Sequence, residues 1–235
     1  MFARGLKKHF SLVGFLVVCC IAALALVYAE REDRVAVGAP TPRPDGAGWI
    51  DLFDATHMAQ WVNVTDSQPG IFEFKDGMFH VAGRKPTRYI ALMGETFGDF
   101  ELHVEFKVAK GANSGVFFRT DPQNPVQGGF EIQVLDDAGQ VPGKNSSGSL
   151  YDVASPMFNM ARPTGEWNSY DITCLGSNLT VVMNGWKVID VDFAKMTMPI
   201  GKFDTPLAKL PKEGNIVLQD HGGEVWFRNL VIRKL

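Results

Sequence analysis

The segment Phe100-Glu101-Leu102-His103-Val104-Glu105-Phe106-Lys107-Val108 alternates apolar and polar residues without a break over nine positions. A period of two marks a strand with one buried face, because successive side chains leave a pleated backbone on opposite sides. Phe100, Leu102, Val104, Phe106 and Val108 are therefore expected in a core, and Glu101, His103, Glu105 and Lys107 on the face away from it. The signal recurs along the chain. Phe72-Glu73-Phe74 and Met78–Val81 flank the hairpin dipeptide Asp76-Gly77, and Val116–Arg119, Phe130–Leu135, Trp167–Leu175 and Leu179–Met183 follow. Asn184-Gly185 then turns the chain into Trp186–Val191, and Asn215–Asp220 and Val225–Ile232 flank Gly222-Gly223. Beyond residue 30 nothing carries three turns of helical periodicity; short turns near Asp54–His57 or Phe193–Met196 are the most expected. A dozen or so strands with short turns predict an all-β antiparallel sandwich of two sheets. No repeat of fixed period points to a propeller or a solenoid.

With 46% hydrophobic residues in 235, the chain has apolar material for one domain of about 190 residues. Its first 29 residues read as a targeting segment. Arg4, Lys7 and Lys8 precede an uncharged apolar run from Phe10 to Ala29, which fits a signal sequence cleaved after Val27-Tyr28-Ala29. The run is also long enough for a membrane-spanning helix, so attachment to a membrane through residues 10–29 is the alternative reading. The residues before Cys19 and Cys20 are too large for a lipoprotein cleavage site. Residues 30–47, charged and then rich in Pro, Gly and Ala, are expected to be a flexible linker, with the sandwich running over 48–235. The formal charge is −3; residues 1–29 hold three basic and no acidic residues, so a chain starting at Glu30 carries 20 basic against 26 acidic residues, or −6. That balance argues against nucleic acid as a partner. Cys174, the single cysteine beyond the leader, has no intrachain disulfide partner and sits in an alternating strand, where a buried inert thiol is expected.

Polar residues embedded in strongly apolar strands are the candidates for chemistry. Glu131 and Gln133 alternate with Phe130, Ile132 and Val134, Arg119 shares a face with Phe117, and His221 shares one with Val217 and Gln219. Glycine pairs at Gly128-Gly129 and Gly222-Gly223 border three of these and let a ligand or another backbone come close. Asp220 either orients His221 or, as a turn residue, caps nearby backbone. Several known chemistries fail on spacing. Glu131 and Asp136 are five apart and so fall on opposite faces of a regular strand, which does not support a two-carboxylate glycosidase. There is no GxSxG, HExxH, P-loop or CxxC. Trp167, Trp186 and Trp226 are expected in the core, and Tyr151, in a looser segment, is the better platform for a sugar ring.

Taken together, Gly48–Asp54, Asp99–Leu102, Asn113–Arg119, Phe130–Asp136, Gly165–Tyr170, Leu218–Gly222 and Phe227-Arg228-Asn229 resemble the 3-keto-disaccharide hydrolase family over residues 48–235. The resemblance implies a concanavalin A-like jelly-roll sandwich, a carbohydrate substrate and work in the bacterial periplasm or envelope, in keeping with the leader. It implies cleavage of glycosides oxidised to a ketone at C3, where loss of the acidified C2 proton lets the C1 oxygen leave and water then adds. Such a path needs a base, an acid and a group that holds enolate charge. On the matching positions, His221 is the candidate base or metal ligand, Glu131 the acid/base partner and Arg119 the holder of the enolate. Gln133, Glu105, Tyr151 and Asp220 are the candidates for substrate binding. A divalent metal ion is an open cofactor: oxygens of Glu105, Glu131 or Asp136 suit Ca²⁺ or Mg²⁺, and adding His221 favours a transition metal. The competing reading is a non-catalytic, lectin-like carbohydrate-binding module on the same sheet.

Overall fold

The nine-residue alternation becomes the strand Phe100–Val108 in the middle of the larger of two antiparallel sheets. The computed structural model describes residues 37–235, and the leader read at 1–29, with the signal or anchor helix expected there, lies outside the described residues. Thirteen strands are found among those residues. They are β1 (Trp49–Asp51), β2 (Trp61–Asn63), β3 (Phe72–Lys75), β4 (Met78–Val81), β5 (Arg88–Leu92), β6 (Phe100–Val108) and β7 (Asn113–Thr120). After them come β8 (Phe130–Leu135), β9 (Trp167–Leu175), β10 (Asn178–Met183), β11 (Trp186–Asp192), β12 (Asn215–Asp220) and β13 (Val225–Lys234). The larger sheet runs β11-β10-β9-β6-β13-β4-β3, with β1 also paired to β13; the smaller runs β2-β5-β12-β7-β8.

The inner faces of the two sheets share one core. Phe100, Leu102, Val104, Phe106 and Val108 are all buried, as the alternation requires, and pack in the same cluster as Ile90, Val116, Phe130, Ile132 and Leu218 of the smaller sheet. Each such side chain contributes about 1.5–3 kcal/mol on leaving water. Cys174 lies in this core, where burial pushes its thiol up to about 11 and keeps it inert. Asp54 caps a one-turn helix at Ala55–Met58 by accepting from the Thr56 and His57 amides, and a 3₁₀ turn at Phe193–Lys195 is capped by Asp192. A second 3₁₀ turn, at Leu207–Lys209, has no periodic signal in the sequence.

Two bulges re-aim side chains. Thr120 pairs with Asn215 but Phe117 with Val217, so Phe118 and Arg119 together oppose Ile216, with Arg119 at φ 46°. On β13, Arg228 pairs with Glu105 and Val231 with His103, leaving Asn229, at φ 51°, and Leu230 opposite Val104. An extra residue with positive φ locally reverses the in-out pattern that alternation assumes.

The compact unit starts at Gly38, ahead of the expected boundary at 48. Residues 38–44 were expected to be part of a flexible linker, yet they lie along the outer face of the larger sheet. Thr41 bonds Ser169 Oγ through its amide (2.8 Å) and Asp171 Oδ2 through its hydroxyl (2.6 Å), and Arg43 pairs with Asp51. Proline keeps this strip extended and short of donors, while the sheet's polar outer side chains supply partners.

Candidate active site

The outer face of the smaller sheet holds a pocket rather than a solvated surface. Its floor is apolar: Ala91 of β5, Phe117 of β7 and Val217 of β12 form a small cluster of their own, separate from the main core. Around this floor the two-residue period brings polar side chains to the same face. Gln219 stands opposite Tyr89, Glu131 opposite Phe117 and Gln133 opposite Gly115. Tyr151 and Lys202 reach in from loops, and His221 stands at the exposed rim. The pocket is open to solvent, with a volume of about 150 Å³.

Glu131 is 4% exposed, and its carboxylate accepts from Lys202 Nζ at 2.6 Å. Burial raises the Glu131 carboxyl above its ordinary range and the Lys202 ammonium offsets only part of that rise, leaving a stronger base than a surface carboxylate. The ammonium lies 4.8 Å over the Tyr151 ring, 5.4 Å from the Phe117 ring and 5.5 Å from the Phe203 ring. Three aromatic rings and one carboxylate thus surround it. Room for the carboxylate comes from Gly115: a Cβ there would sit 2.6 Å from Glu131 Oε1.

The pocket also holds acceptors with nothing to accept. Gln133 is 2% exposed and Gln219 5%, and neither amide oxygen has a hydrogen-bond partner. Gln133 spends a nitrogen on Asn113 Oδ1 at 3.2 Å. A buried unpaired acceptor costs about 1–3 kcal/mol, so each oxygen is a waiting site for a hydroxyl donor. Tyr89, beside Gln219, has its phenol pushed up by burial and stays a protonated donor. Wall and floor thus combine a base, a cation, hydroxyl acceptors and a phenol, enough to hold a small polyol and move protons on it.

Of the residues expected in the site, Glu131, Gln133, Tyr151 and His221 come together there. Arg119 does not. The β7 bulge turns it away from Phe117's face, and its guanidinium bonds Gly98 O, Gly176 O and Asp99 Oδ1 at 2.7–2.8 Å, tying three chain segments together. Glu105 belongs to the opposite outer face, on the larger sheet, where Arg228 and Asn229 hold its two oxygens. Alternation says that a residue faces away from the core but not from which side of a sandwich. Asp220 takes the face opposite Gln219, is buried, and accepts from the Arg84 amide at 3.1 Å; it caps backbone and does not orient His221. The proposed oxygen ligands do not converge either: Asp136 accepts from the Gly111 amide and Thr164. Among the described residues no group of three or more His, Cys, Asp or Glu gathers in a metal-binding arrangement. The tryptophans also leave the expected core. Trp167 and Trp226 lie half-buried on the larger sheet's outer face with Lys107 over both rings, and Trp186 is exposed.

Lys202, Tyr89 and Gln219 complete the pocket without having been singled out. Gln219 had a signal, its shared face with His221. Tyr89 lies in a strand too short for alternation to carry weight, and Lys202 lies in a loop, where no periodicity exists.

Comparison with known proteins agrees with this architecture. Residues 48–233 match the 3-keto-alpha-glucoside-1,2-lyase-like domain family. A 3-keto-disaccharide hydrolase from Bacteroides thetaiotaomicron is 28% identical, over 81% of this chain and 80% of its own length. A putative glycosyl hydrolase from Parabacteroides distasonis superposes with a TM-score of 0.69 at 28% identity, covering 80% of this chain and 99% of that one. A carbohydrate binding module from Bacillus subtilis shares the fold alone, with a TM-score of 0.53 at 14% identity over 74% and 96% of the two chains. Two antiparallel sheets, an outer-face pocket of about 150 Å³ and a family match spanning most of the chain lead to one conclusion: this protein belongs to the 3-keto-alpha-glucoside-1,2-lyase-like domain family.

Proposed function

We propose that the protein is a carbohydrate-active hydrolase that cleaves 3-keto-glycosides by elimination across C1 and C2 followed by hydration. The observation that carries this reading is the ion pair between buried Glu131 and Lys202 in the wall of a small pocket. A ketone at C3 makes the C2 proton acidic, and removing it leaves negative charge on the C3 oxygen. A base and a cation held 2.6 Å apart serve the two ends of that step. Glu131, its basicity raised by burial, takes the C2 proton. The Lys202 ammonium holds the enolate oxygen, the role first assigned to Arg119.

The electron pair then moves from the enolate to expel the C1 oxygen, which needs a proton to leave. We assign the role of that acid to His221, which is exposed at the rim of the pocket. Water adds at C1 of the enone and returns a proton to C2, giving the 3-keto sugar. The free oxygens of Gln133 and Gln219 accept from ring hydroxyls and fix the ring above the Phe117 floor. The leader read at residues 1–29 supports a periplasmic or envelope location.

The test is release of 3-keto-glucose from a 3-keto-glucoside, with the unoxidised glucoside and a Glu131→Gln variant in parallel. Turnover of the keto substrate alone, lost by at least a hundredfold in the variant, supports the reading. Equal turnover of both sugars, or an unimpaired variant, refutes it.

A further inference from the structure

Lys202 differs in its support from the strand-borne polar groups of the pocket. Tyr89, Glu131, Gln133 and Gln219 ride on paired strands, whereas Lys202 sits in the loop between the 3₁₀ turns at 193–195 and 207–209. A lysine has a long flexible stem, and a loop adds backbone freedom to it. Its ammonium is nevertheless held 2.6 Å from Glu131. Something has to fix the peptide that carries it.

One side chain grips that peptide on both sides. Gln127, in the loop between β7 and β8, donates from Nε2 to Lys202 O at 2.5 Å, and its Oε1 accepts from the Asp204 amide at 3.2 Å. A primary amide that bonds a carbonyl and the amide two residues on copies what a neighbouring strand would provide. The buried Phe203 ring between them anchors the same three residues into the core. From the other side the loop is pressed against the chain at Asp152. Gly201 has φ +57°, and a Cβ there would lie 2.0 Å from Asp152 O. Gln127 itself starts from a firm base, since Gly128 donates to Asn124 O at 2.7 Å and Asp121 to Gly128 O. Its neighbour Val126 lines the pocket.

We infer that Gln127 is a positioning residue that sets the Lys202 ammonium against Glu131 by clamping the main chain at residues 202 and 204. The inference rests on the catalytic reading of the Glu131–Lys202 pair for its effect on turnover, but not for its effect on geometry. Gln127→Met keeps the volume and removes both bonds, freeing the loop to drift. A displacement near 1 Å at a charge-stabilising group costs on the order of tenfold to hundredfold in rate, and it falls on kcat more than on KM. It also strips Glu131 of the neighbour that holds its carboxyl down, so the ionisation of Glu131 moves further up.

The experiment uses the full chain with Gln127→Met, Lys202→Met and the double variant, reading kcat and KM on a 3-keto-glucoside and the pH titration of the Glu131 carboxyl carbon by NMR. The clamp predicts a fall in kcat with Gln127→Met, an upward move of the Glu131 midpoint in both single variants, and no further loss when Gln127→Met is added to Lys202→Met. A Glu131 midpoint left in place by Gln127→Met while Lys202→Met moves it overturns the clamp. So do losses that multiply in the double variant. Full turnover in Lys202→Met instead removes the catalytic reading, and the Glu131 titration then still decides the clamp by itself.

Discussion

Gly115→Ala separates the position of one carboxylate from the stability of the fold. The added Cβ would sit 2.6 Å from Glu131 Oε1 and 3.1 Å from both Glu131 Cγ and a ring carbon of Phe117. To reach ordinary contact the carboxylate has to retreat by roughly 0.8 Å. Gly115 does not have a positive φ, so alanine brings no backbone strain. The group that yields first is the far end of a flexible side chain, so the fold loses little. The methyl gains about 0.8 kcal/mol on burial and the lost glycine freedom another 0.4–1, against about 1–3 for crowding. The net is within about 1–2 kcal/mol of zero. Catalysis has no such compensation, because a shift of that size weakens the 2.6 Å bond to Lys202 and moves the base off its line to C2. A hundredfold fall in kcat/KM, about 2.7 kcal/mol of transition-state stabilisation, is expected. The assay pairs steady-state kinetics on a 3-keto-glucoside with urea unfolding of the same preparations. A variant within threefold of the parent in kcat/KM would refute the requirement for Glu131 at that position; a variant that loses several kcal/mol of stability would show that the site could not yield locally.

Three further outcomes follow from the same structure. Arg119→Met should destabilise the domain by about 1–3 kcal/mol, since it removes the guanidinium bonds to two carbonyls and to Asp99, yet leave KM of the folded fraction unchanged; a selective loss of kcat at intact stability would restore Arg119 to the site. Glu105→Gln breaks the charge-assisted contacts with Arg228 and Asn229 on the far sheet and should lower stability by about 1–3 kcal/mol with turnover within twofold, a split that matched melting and rate measurements resolve. Asp137, 1% exposed with one oxygen unpartnered, has its carboxyl raised by burial. A raised folded value means that the folded state binds the extra proton. That stability is present below the ordinary carboxylate range and is lost as pH rises through the raised value. Asp137→Asn, which removes the ionisation, should therefore gain on the parent as pH climbs from about 4 to 7; a melting-temperature gap that stays flat across that range would contradict it.

The fold was legible because alternation is a local signal. Nine positions of Phe100–Val108 sort residues by face without knowledge of any partner, and the structure keeps every one of the five apolar positions inside. Apart from Tyr151, which a loop carries, the site was legible where the strand period marks it. Glu131, Gln133 and His221 follow the period, but Arg119 escapes it through a bulge whose positive φ falls on an arginine, a residue that gives no warning of one. Glu105 was lost for a different reason: a sandwich has two outer faces, and strand order is needed to tell them apart. Lys202 came from a loop fixed by tertiary contacts from Gln127 and Asp152, neither near it in sequence.

The most direct test of elimination is a 3-keto-glucoside carrying deuterium at C2, compared with the protio substrate under saturating conditions and with product formed in D₂O. The account predicts a primary isotope effect above about twofold on turnover, larger in Glu131→Gln as proton removal becomes fully limiting, and solvent deuterium at C2 of the product beyond what the 3-keto sugar acquires in buffer alone. Turnover without an isotope effect, giving product that retains its original C2 hydrogen, would mean that the glycosidic bond is displaced directly, and would contradict the role given to the Glu131–Lys202 pair.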